Sequence, residues 1–202
     1  MFLGITLASP SWAQDPPPSH GGMLGMIREA AQGYLDRAID AERSGRVLEA
    51  EVLYLRALET DPGLLAAHLG YARLLDARGH RAEAVRMLAQ TPRRAWESDN
   101  EAMEYARTLH AVGQTDAALG VLRDRAESAE ATRMTVELAS AGGRFPEALA
   151  AARRLAELTR ESADGGRAAR VMVRALTQLV AEADAVRAPL AMTAFRRLLR
   201  GE

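Results

Sequence analysis

One short segment recurs four times in this chain and decides its fold: Gly45-Arg-Val-Leu-Glu-Ala50, Gly79-His-Arg-Ala-Glu-Ala84, Gly113-Gln-Thr-Asp-Ala-Ala118 and Gly143-Arg-Phe-Pro-Glu-Ala148. The first three copies start 34 residues apart, and the fourth starts 30 residues after the third. A constant period of this length is typical of repeat proteins, in which each unit buries its apolar face against its neighbours. We therefore expect an array of repeats, an architecture that binds other molecules rather than catalysing reactions.

The composition is that of a globular protein. Of the 202 residues, 48% are hydrophobic and 26% are charged, and the net charge is −1. All 26 basic residues are arginine, and this usage favours a GC-rich bacterial source. The chain has no overall basic charge to attract nucleic acid and no cysteine for disulfides, thiol chemistry or zinc binding. Its four histidines lack metal-ligand spacing, so we expect no metal and no cofactor.

The first thirteen residues differ from the rest of the chain. An apolar run is followed by small residues at Ser11 and Ala13, which fit a signal-peptidase site before Gln14. We therefore expect a signal peptide over residues 1–13, although no basic residue precedes the run, and a Pro/Gly-rich spacer over residues 14–22. The alternative is an apolar N terminus on a cytoplasmic protein. No other stretch approaches the ~20 apolar residues of a membrane span, so we expect none in the mature chain.

Helical periodicity begins at Met23, and Leu24 and Ile27 open the apolar stripe of the first helix. We divide the pattern into pairs, each with a helix A and a helix B. The array is predicted over residues 23–160, and two capping helices are predicted over residues 161–202. The predicted helices are 24–43, 47–60, 64–77, 81–90, 98–111, 115–126, 130–141, 145–160, 167–186 and, opened by Pro189, 189–200.

Several positions carry the residue types that a helix pair requires. The glycine that opens each copy ends helix A, where a positive φ favours glycine. The alanine five residues later lets helix B approach helix A closely. Ser98 and Glu101 form a capping-box pattern at the start of the third helix A. Gly165 and Gly166 are interpreted as linker glycines before the next helix.

The segment Gly45…Ala50…Tyr54…Ala57-Leu-Glu-Thr-Asp-Pro62 closely resembles the second half of a tetratricopeptide repeat. That family consists of 34-residue helix-turn-helix units stacked into a right-handed superhelix. The resemblance covers about residues 31–160, and it weakens where Thr91 and Arg125 replace the usual alanine. It implies an all-α, right-handed solenoid of about four repeats, closed by a C-terminal pair of capping helices.

The resemblance also implies a function, namely a non-catalytic scaffold that binds a protein or peptide partner in a concave groove lined by the helices A. The groove positions in this chain are Leu35, Ile39, Glu42, Leu69, Arg73, Asp76, Met103, Arg107, His110, Arg133 and Glu137. Some members clamp the C-terminal carboxylate of chaperones with Lys and Asn side chains. Here Leu35, Ile39 and Gly70 stand at positions that would need those residues, so we do not expect that clamp.

Two interpretations of the groove remain open. Arg73 and Arg107 share one repeat position and could form an arginine ladder that binds carboxylates of an acidic peptide. Alternatively, they pair with nearby acidic side chains and only keep the face soluble. The apolar groove residues could form a floor for a partner segment, or they could belong to the core.

Other features favour structural roles over chemistry. His68 occupies a packing position, and Trp96, which follows Arg93 and Arg94, more simply packs over a helix end than stacks on a nucleic acid base. No nucleophile elbow, phosphate-binding loop or His-carboxylate signature is present, so we expect no enzyme. The sequence thus predicts a periplasmic adaptor or assembly factor. The alternatives are a cytoplasmic adaptor or co-chaperone, and an accessory subunit of an enzyme encoded elsewhere.

Overall fold

The computed structural model describes residues 20–92 and 98–183, and within these ranges the regular secondary structure is entirely helical. The all-α prediction is therefore confirmed for these ranges. The predicted signal peptide, most of the spacer, Trp96 and the last predicted helix lie outside the described residues. The helices are α1 (His20–Arg43), α2 (Val47–Thr60), α3 (Leu65–Ala77), α4 (Arg81–Ala89), α5 (Asp99–Ala111), α6 (Thr115–Arg123), α7 (Ala129–Ala141), α8 (Phe145–Leu158) and α9 (Ala163–Ala183).

The chain divides into two compact units, and the first, residues 1–64, contains the α1–α2 pair. Small residues line the contact between these helices and permit close packing, because Ala38 and Ala41 of α1 and Ala50 and Ala57 of α2 are fully buried. The chain reverses at Gly45, where φ is +73°. The following Arg46 amide donates to the Ala41 carbonyl at 2.8 Å, as in a Schellman-type helix end.

The N-terminal part of α1 departs from the predicted stripe. Leu24 and Ile27 are exposed, although the spacing predicts that they face the core. The helix lengths account for this difference, since α1 has 24 residues and α2 has 14. At 1.5 Å per residue, α1 is longer than α2 by about 15 Å.

The second unit, residues 65–202, stacks three helix pairs and α9. Each helix A packs on the helix B that follows it, and successive helices A also touch, α3 with α5 and α5 with α7. A continuous core runs from Leu119 on α6 through Leu155 on α8 to Leu176 on α9. Helix α9 therefore covers the apolar face of α8 at the end of the described array.

The predicted turn chemistry is present in every repeat. The repeat glycines all adopt a positive φ, between +72° and +85°. The repeat alanines Ala50, Ala84, Ala118 and Ala148 are all fully buried. Ser98 caps α5 as expected, because its Oγ accepts from the Glu101 amide at 3.2 Å while its own amide donates to the Glu101 carboxylate at 3.0 Å.

Three predicted helix bounds are wrong by three or four residues, and the first of these is the start of α1, which lies at His20 instead of residue 24. Helix α6 ends at Arg123 instead of residue 126, and a turn leads to Ser128, whose side chain caps α7. Helix α9 begins at Ala163, so Gly165 and Gly166 belong to its first turn instead of a linker. Ser162 explains the early start, since its Oγ accepts from the Gly165 amide at 3.1 Å and replaces a missing helical partner.

Candidate functional site

The predicted groove residues of the first unit lie on α1 and differ in accessibility. Leu35 is 2% exposed and belongs to the core, whereas Ile39 is half-buried. Glu42 is exposed, and its carboxylate accepts a hydrogen bond of 2.7 Å from the Tyr54 hydroxyl of α2. Leu35 therefore supports the core alternative, and Glu42 has a structural partner within its own helix pair.

In the second unit, α3 carries Leu69, Arg73 and Asp76. Leu69 is only 5% exposed, because α3 is covered on most of its circumference. Asp76 is half-buried and accepts a 2.8 Å hydrogen bond from Nε of Arg81, and this bond raises the pKa of the Arg81 guanidinium. The side chain of Arg73 is exposed, and its guanidinium makes no hydrogen bond or ion pair within the part of the chain that the structure describes.

Helix α5 carries Met103, Arg107 and His110. Arg107 is exposed and forms an ion pair of 3.1 Å with Glu104, one turn earlier on the same helix. His110 is half-buried, and its Nδ1 lies 3.0 Å from the Thr115 hydroxyl at the start of α6. Met103 is also half-buried. It therefore retains partly accessible apolar surface, unlike the buried Leu69.

Helix α7 carries Arg133 and Glu137, both exposed. Neither of these side chains forms an ion pair or a hydrogen bond within residues 20–92 and 98–183. The 30-residue step places Arg133 at the repeat position of Met103, and Glu137 at that of Arg107. In this unit the same repeat position therefore holds arginine on α3 and α5, as Arg73 and Arg107, and a carboxylate on α7, as Glu137.

The helices that carry these side chains are in contact, α3 with α5 and α5 with α7. We name the predicted groove residues of these three helices that are exposed or half-exposed, together with Glu104, the helix-A face. It comprises Arg73, Asp76, Met103, Glu104, Arg107, His110, Arg133 and Glu137. Its character is charged, and Leu69 packs in the core, in agreement with the second of the two interpretations of the apolar groove residues. Whether this face binds a partner stays a prediction.

The sequence did not reveal a cleft between α4, α5 and α6. Its volume is about 500 Å³, and its lining includes Val85, Ala89, Thr91, Ala117 and Gly120. The Thr91 hydroxyl is buried and has no hydrogen-bond partner among the described residues. The small residues facing each other from α4 and α6 are the one signal that could have indicated this space.

Two further searches concern the described ranges alone. No group of three or more His, Asp or Glu side chains is placed there to hold a metal ion. None of the helices there combines the length and apolar character that a membrane span needs.

Both the sequence and the structure of this chain are similar to those of known proteins. Residues 41–100 match the family model of the tetratricopeptide repeat. A protein of Podosopora anserina assigned as a kinesin light chain, with nearly identical TPR-like repeats, has a TM-score of 0.55 at 18% identity, over 86% of this chain and 95% of that chain. A single-residue variant of it has a TM-score of 0.52 at 19% identity, over 86% and 96%. YrrB, a TPR protein with an unusual peptide-binding site, has a TM-score of 0.49 at 19% identity, over 84% and 86%.

Among curated proteins, none matches this sequence. At these identities, the likeness to the two Podosopora anserina structures shows the fold alone, and it confirms the predicted fold class. The tetratricopeptide repeat model therefore matches residues 41–100, and the chain shares the fold of the two Podosopora anserina structures.

Proposed function

We propose that this protein is a non-catalytic scaffold that binds an acidic segment of a partner protein along the helix-A face. The observation that carries the proposal is the pair Arg73 and Arg107. They occupy the same repeat position on α3 and α5, which touch, and both are exposed. The tetratricopeptide match supports the general role, because repeats of this family bind protein or peptide partners.

The helix-A face carries three arginines and three carboxylates, so the preference for a carboxylate-bearing partner rests on Arg73 and Arg107 and not on the net charge of the face. Arg73 makes no ion pair within the described ranges, so its guanidinium is available to a bidentate carboxylate. Arg107 pairs with Glu104, but both side chains are exposed, at 63% and 51%. Exposed pairs of this kind contribute little to stability, about 0–1 kcal/mol. A partner carboxylate can therefore replace Glu104 at low cost.

The apolar contribution of this face is small. Met103 is half-buried, and Leu69 is buried in the core. We therefore expect binding that weakens with ionic strength, since exposed charges are screened over about 10 Å at 0.1 M salt. A groove dominated by apolar contacts would show the opposite trend.

The proposed setting is the envelope of a Gram-negative bacterium, where the protein would act as an adaptor or assembly factor after export. This part rests on the apolar run and the Ser11/Ala13 pattern of the sequence. Intact mass of the protein from its native host tests it. A mature start at Gln14 supports export, whereas an uncleaved N terminus favours the cytoplasmic adaptor.

The binding proposal is tested by affinity capture from native extract with the full chain and with the Arg73→Glu, Arg107→Glu double variant. The control is the Arg86→Glu, Arg153→Glu double variant, which changes the net charge equally at exposed positions of α4 and α8. We expect a partner that the wild type and the control retain and that the first variant loses. The accessory-subunit alternative predicts that this partner is an enzyme. Equal retention by all three proteins contradicts the proposed site.

A further inference from the structure

The first unit carries an exposed apolar stripe on α2. It consists of Leu48, Val52 and Leu55, which are 71%, 56% and 38% exposed. Steps of four and three residues place the three side chains on one helical face. Contiguous apolar surface of this kind on a helix commonly marks an interaction site. We name these three residues the α2 stripe.

The other repeats show that the stripe is not a requirement of the fold. The equivalent positions on the later helices B are exposed or half-exposed, but they hold small, polar or charged residues. These are Ala82, Arg86 and Ala89 on α4, Asp116, Gly120 and Arg123 on α6, and Pro146, Ala150 and Arg153 on α8. The same place in the repeat therefore tolerates solvent-compatible residues, and α2 alone among the described helices B has three large apolar ones.

Charges beside the stripe are arranged symmetrically. Glu49 and Arg56 are seven residues apart, so they lie on the same flank of the stripe, two turns from each other. Their midpoint falls between residues 52 and 53, within one residue of Val52 at the centre of the stripe. A two-fold axis near Val52 therefore brings each of these charges to its opposite in a second, antiparallel copy of α2.

We propose that the α2 stripe is a self-association surface on which a second copy of this chain packs, with its α2 antiparallel. Leu48 then faces Leu55 of the partner subunit, and Val52 lies near the axis. Glu49 pairs with Arg56 of the partner subunit, and Arg56 pairs with Glu49 of the partner subunit. This is an isologous interface, which two-fold symmetry requires to be self-complementary.

The charges that must rearrange are only weakly held within the chain. Glu49 is paired with Arg46 at 2.9 Å, and Arg56 is paired with Glu59 at 3.0 Å. All four side chains are roughly half exposed or more, between 48% and 64%. Exposed pairs three residues apart on a helix contribute little. Contacts with a second copy can therefore replace them, and the opposite charges fix an antiparallel register.

The test is the association state of the full chain by sedimentation equilibrium, from about 1 to 500 μM, where interfaces of modest size associate. The wild type is expected to dimerise. Glu49→Arg places like charges at both symmetric contacts, and Arg56→Glu does the same with the opposite sign. Each single variant is expected to raise the dissociation constant about tenfold or more. Circular dichroism checks that these exposed substitutions leave the fold intact.

Mixing the two single variants gives the decisive result. In a mixed pair, the introduced arginine faces the introduced glutamate at one contact, and the native Arg56 faces Glu49 of the partner subunit at the other. Both contacts then join opposite charges, so the mixture is expected to regain wild-type association. The Glu49→Arg, Arg56→Glu double variant regains it for the same reason.

Two further variants test the centre of the stripe and its specificity. Val52→Glu places charges at the axis and is expected to abolish association in every combination. The matched control Arg86→Glu, at the equivalent position on α4, should change nothing.

Several outcomes overturn the proposal. One is a wild type that stays monomeric over the whole range, and another is a dimer that Val52→Glu leaves unchanged. A mixture that associates no better than either single variant excludes the antiparallel register. If the wild type is monomeric but retains a protein of different sequence that Val52→Glu loses, the α2 stripe belongs to a different partner. These results are independent of the helix-A face, since the two sites lie on different units.

Discussion

The phenolic hydroxyl of Tyr105 on α5 donates a hydrogen bond of 2.7 Å to the backbone carbonyl of Leu88, in the last turn of α4. The side chain is buried, and this burial raises the pKa of the Tyr105 phenol. The contact joins two consecutive repeats of the second unit across seventeen residues of sequence. It fixes the end of α4 against α5.

Tyr105→Phe should lower the free energy of unfolding by about 1 kcal/mol, the usual contribution of a buried hydrogen bond. The loss stays moderate because the Leu88 carbonyl also accepts from the Thr91 amide at 3.1 Å. Urea denaturation followed by circular dichroism measures the change. Tyr34→Phe is the control, since the half-buried Tyr34 makes no hydrogen bond within the described ranges. Equal effects of the two variants would show that the Leu88 contact contributes nothing specific.

Gly166→Ala should destabilise the second unit by about 1–3 kcal/mol, the usual cost of overpacking. Gly166 is buried in the first turn of α9, and an added Cβ would lie 2.9 Å from the Thr159 carbonyl at the end of α8. That oxygen is part of the backbone and cannot move away freely. Thermal unfolding measures the effect.

Gly120→Ala is the matched control for this glycine. Gly120 lies within α6, and an added Cβ there meets no atom within 4 Å. Replacing a helical glycine by alanine in open space should stabilise by about 0.5–1 kcal/mol. The two variants should therefore shift the unfolding temperature in opposite directions. A shift in the same direction would contradict the close approach of α9 to α8.

Much of this fold could be predicted from the sequence, because repeat chemistry is local. The 34-residue period located the turn at Gly45 and the buried contact at Ala50, and both depend on residues close in sequence. The start of α9 was predicted wrongly, since Gly165 and Gly166 suggest a linker, although Ser162 is a local capping residue for this helix. Only the packing of Gly166 against the end of α8 depends on tertiary contacts.

The candidate site was less predictable, because exposure depends on packing around each helix. The repeat register placed Arg73 and Leu69 correctly on α3, but only the structure shows that the first is exposed and the second buried. The cleft that contains Thr91 also depends on distances between helices. Small residues such as Ala117 leave that space, but a sequence alone does not show which helices face it.

Asp116→Asn should show how an ion pair between repeats depends on pH. The Arg144 guanidinium at the start of α8 hydrogen-bonds to the Asp116 carboxylate of α6 and holds the pKa of that carboxyl below its usual value. The folded state therefore binds this proton less well than the unfolded state. The stabilisation is fully present above the unfolded pKa of about 3.9, and it disappears as the pH falls through the lower, folded pKa.

Unfolding at several pH values tests this sign. The wild type should be slightly more stable than Asp116→Asn at pH 7, and the two should converge in strong acid. Added salt should also reduce the difference at pH 7, since both partners contact solvent. Asp124→Asn serves as the control, because the exposed Asp124 carboxylate forms no ion pair within the described ranges. A constant difference at all pH values would mean that the effect of Asp116→Asn is not electrostatic.

Ala118→Leu should lower the free energy of unfolding by about 1–3 kcal/mol, the usual cost of overpacking. Ala118 is fully buried at the repeat position where helix B approaches helix A, so three additional carbons must separate α6 from α5. Ala117→Leu adds the same volume to the same helix at an exposed position, and it should change stability by less than about 0.5 kcal/mol. Guanidinium denaturation of both variants measures the difference. Because separation of the two helices would also disturb the alignment of Arg107 on α5, the first variant should bind its partner less well, and the second should not. A tolerated Ala118→Leu would mean that close contact of helices A and B is not what the repeat alanine provides.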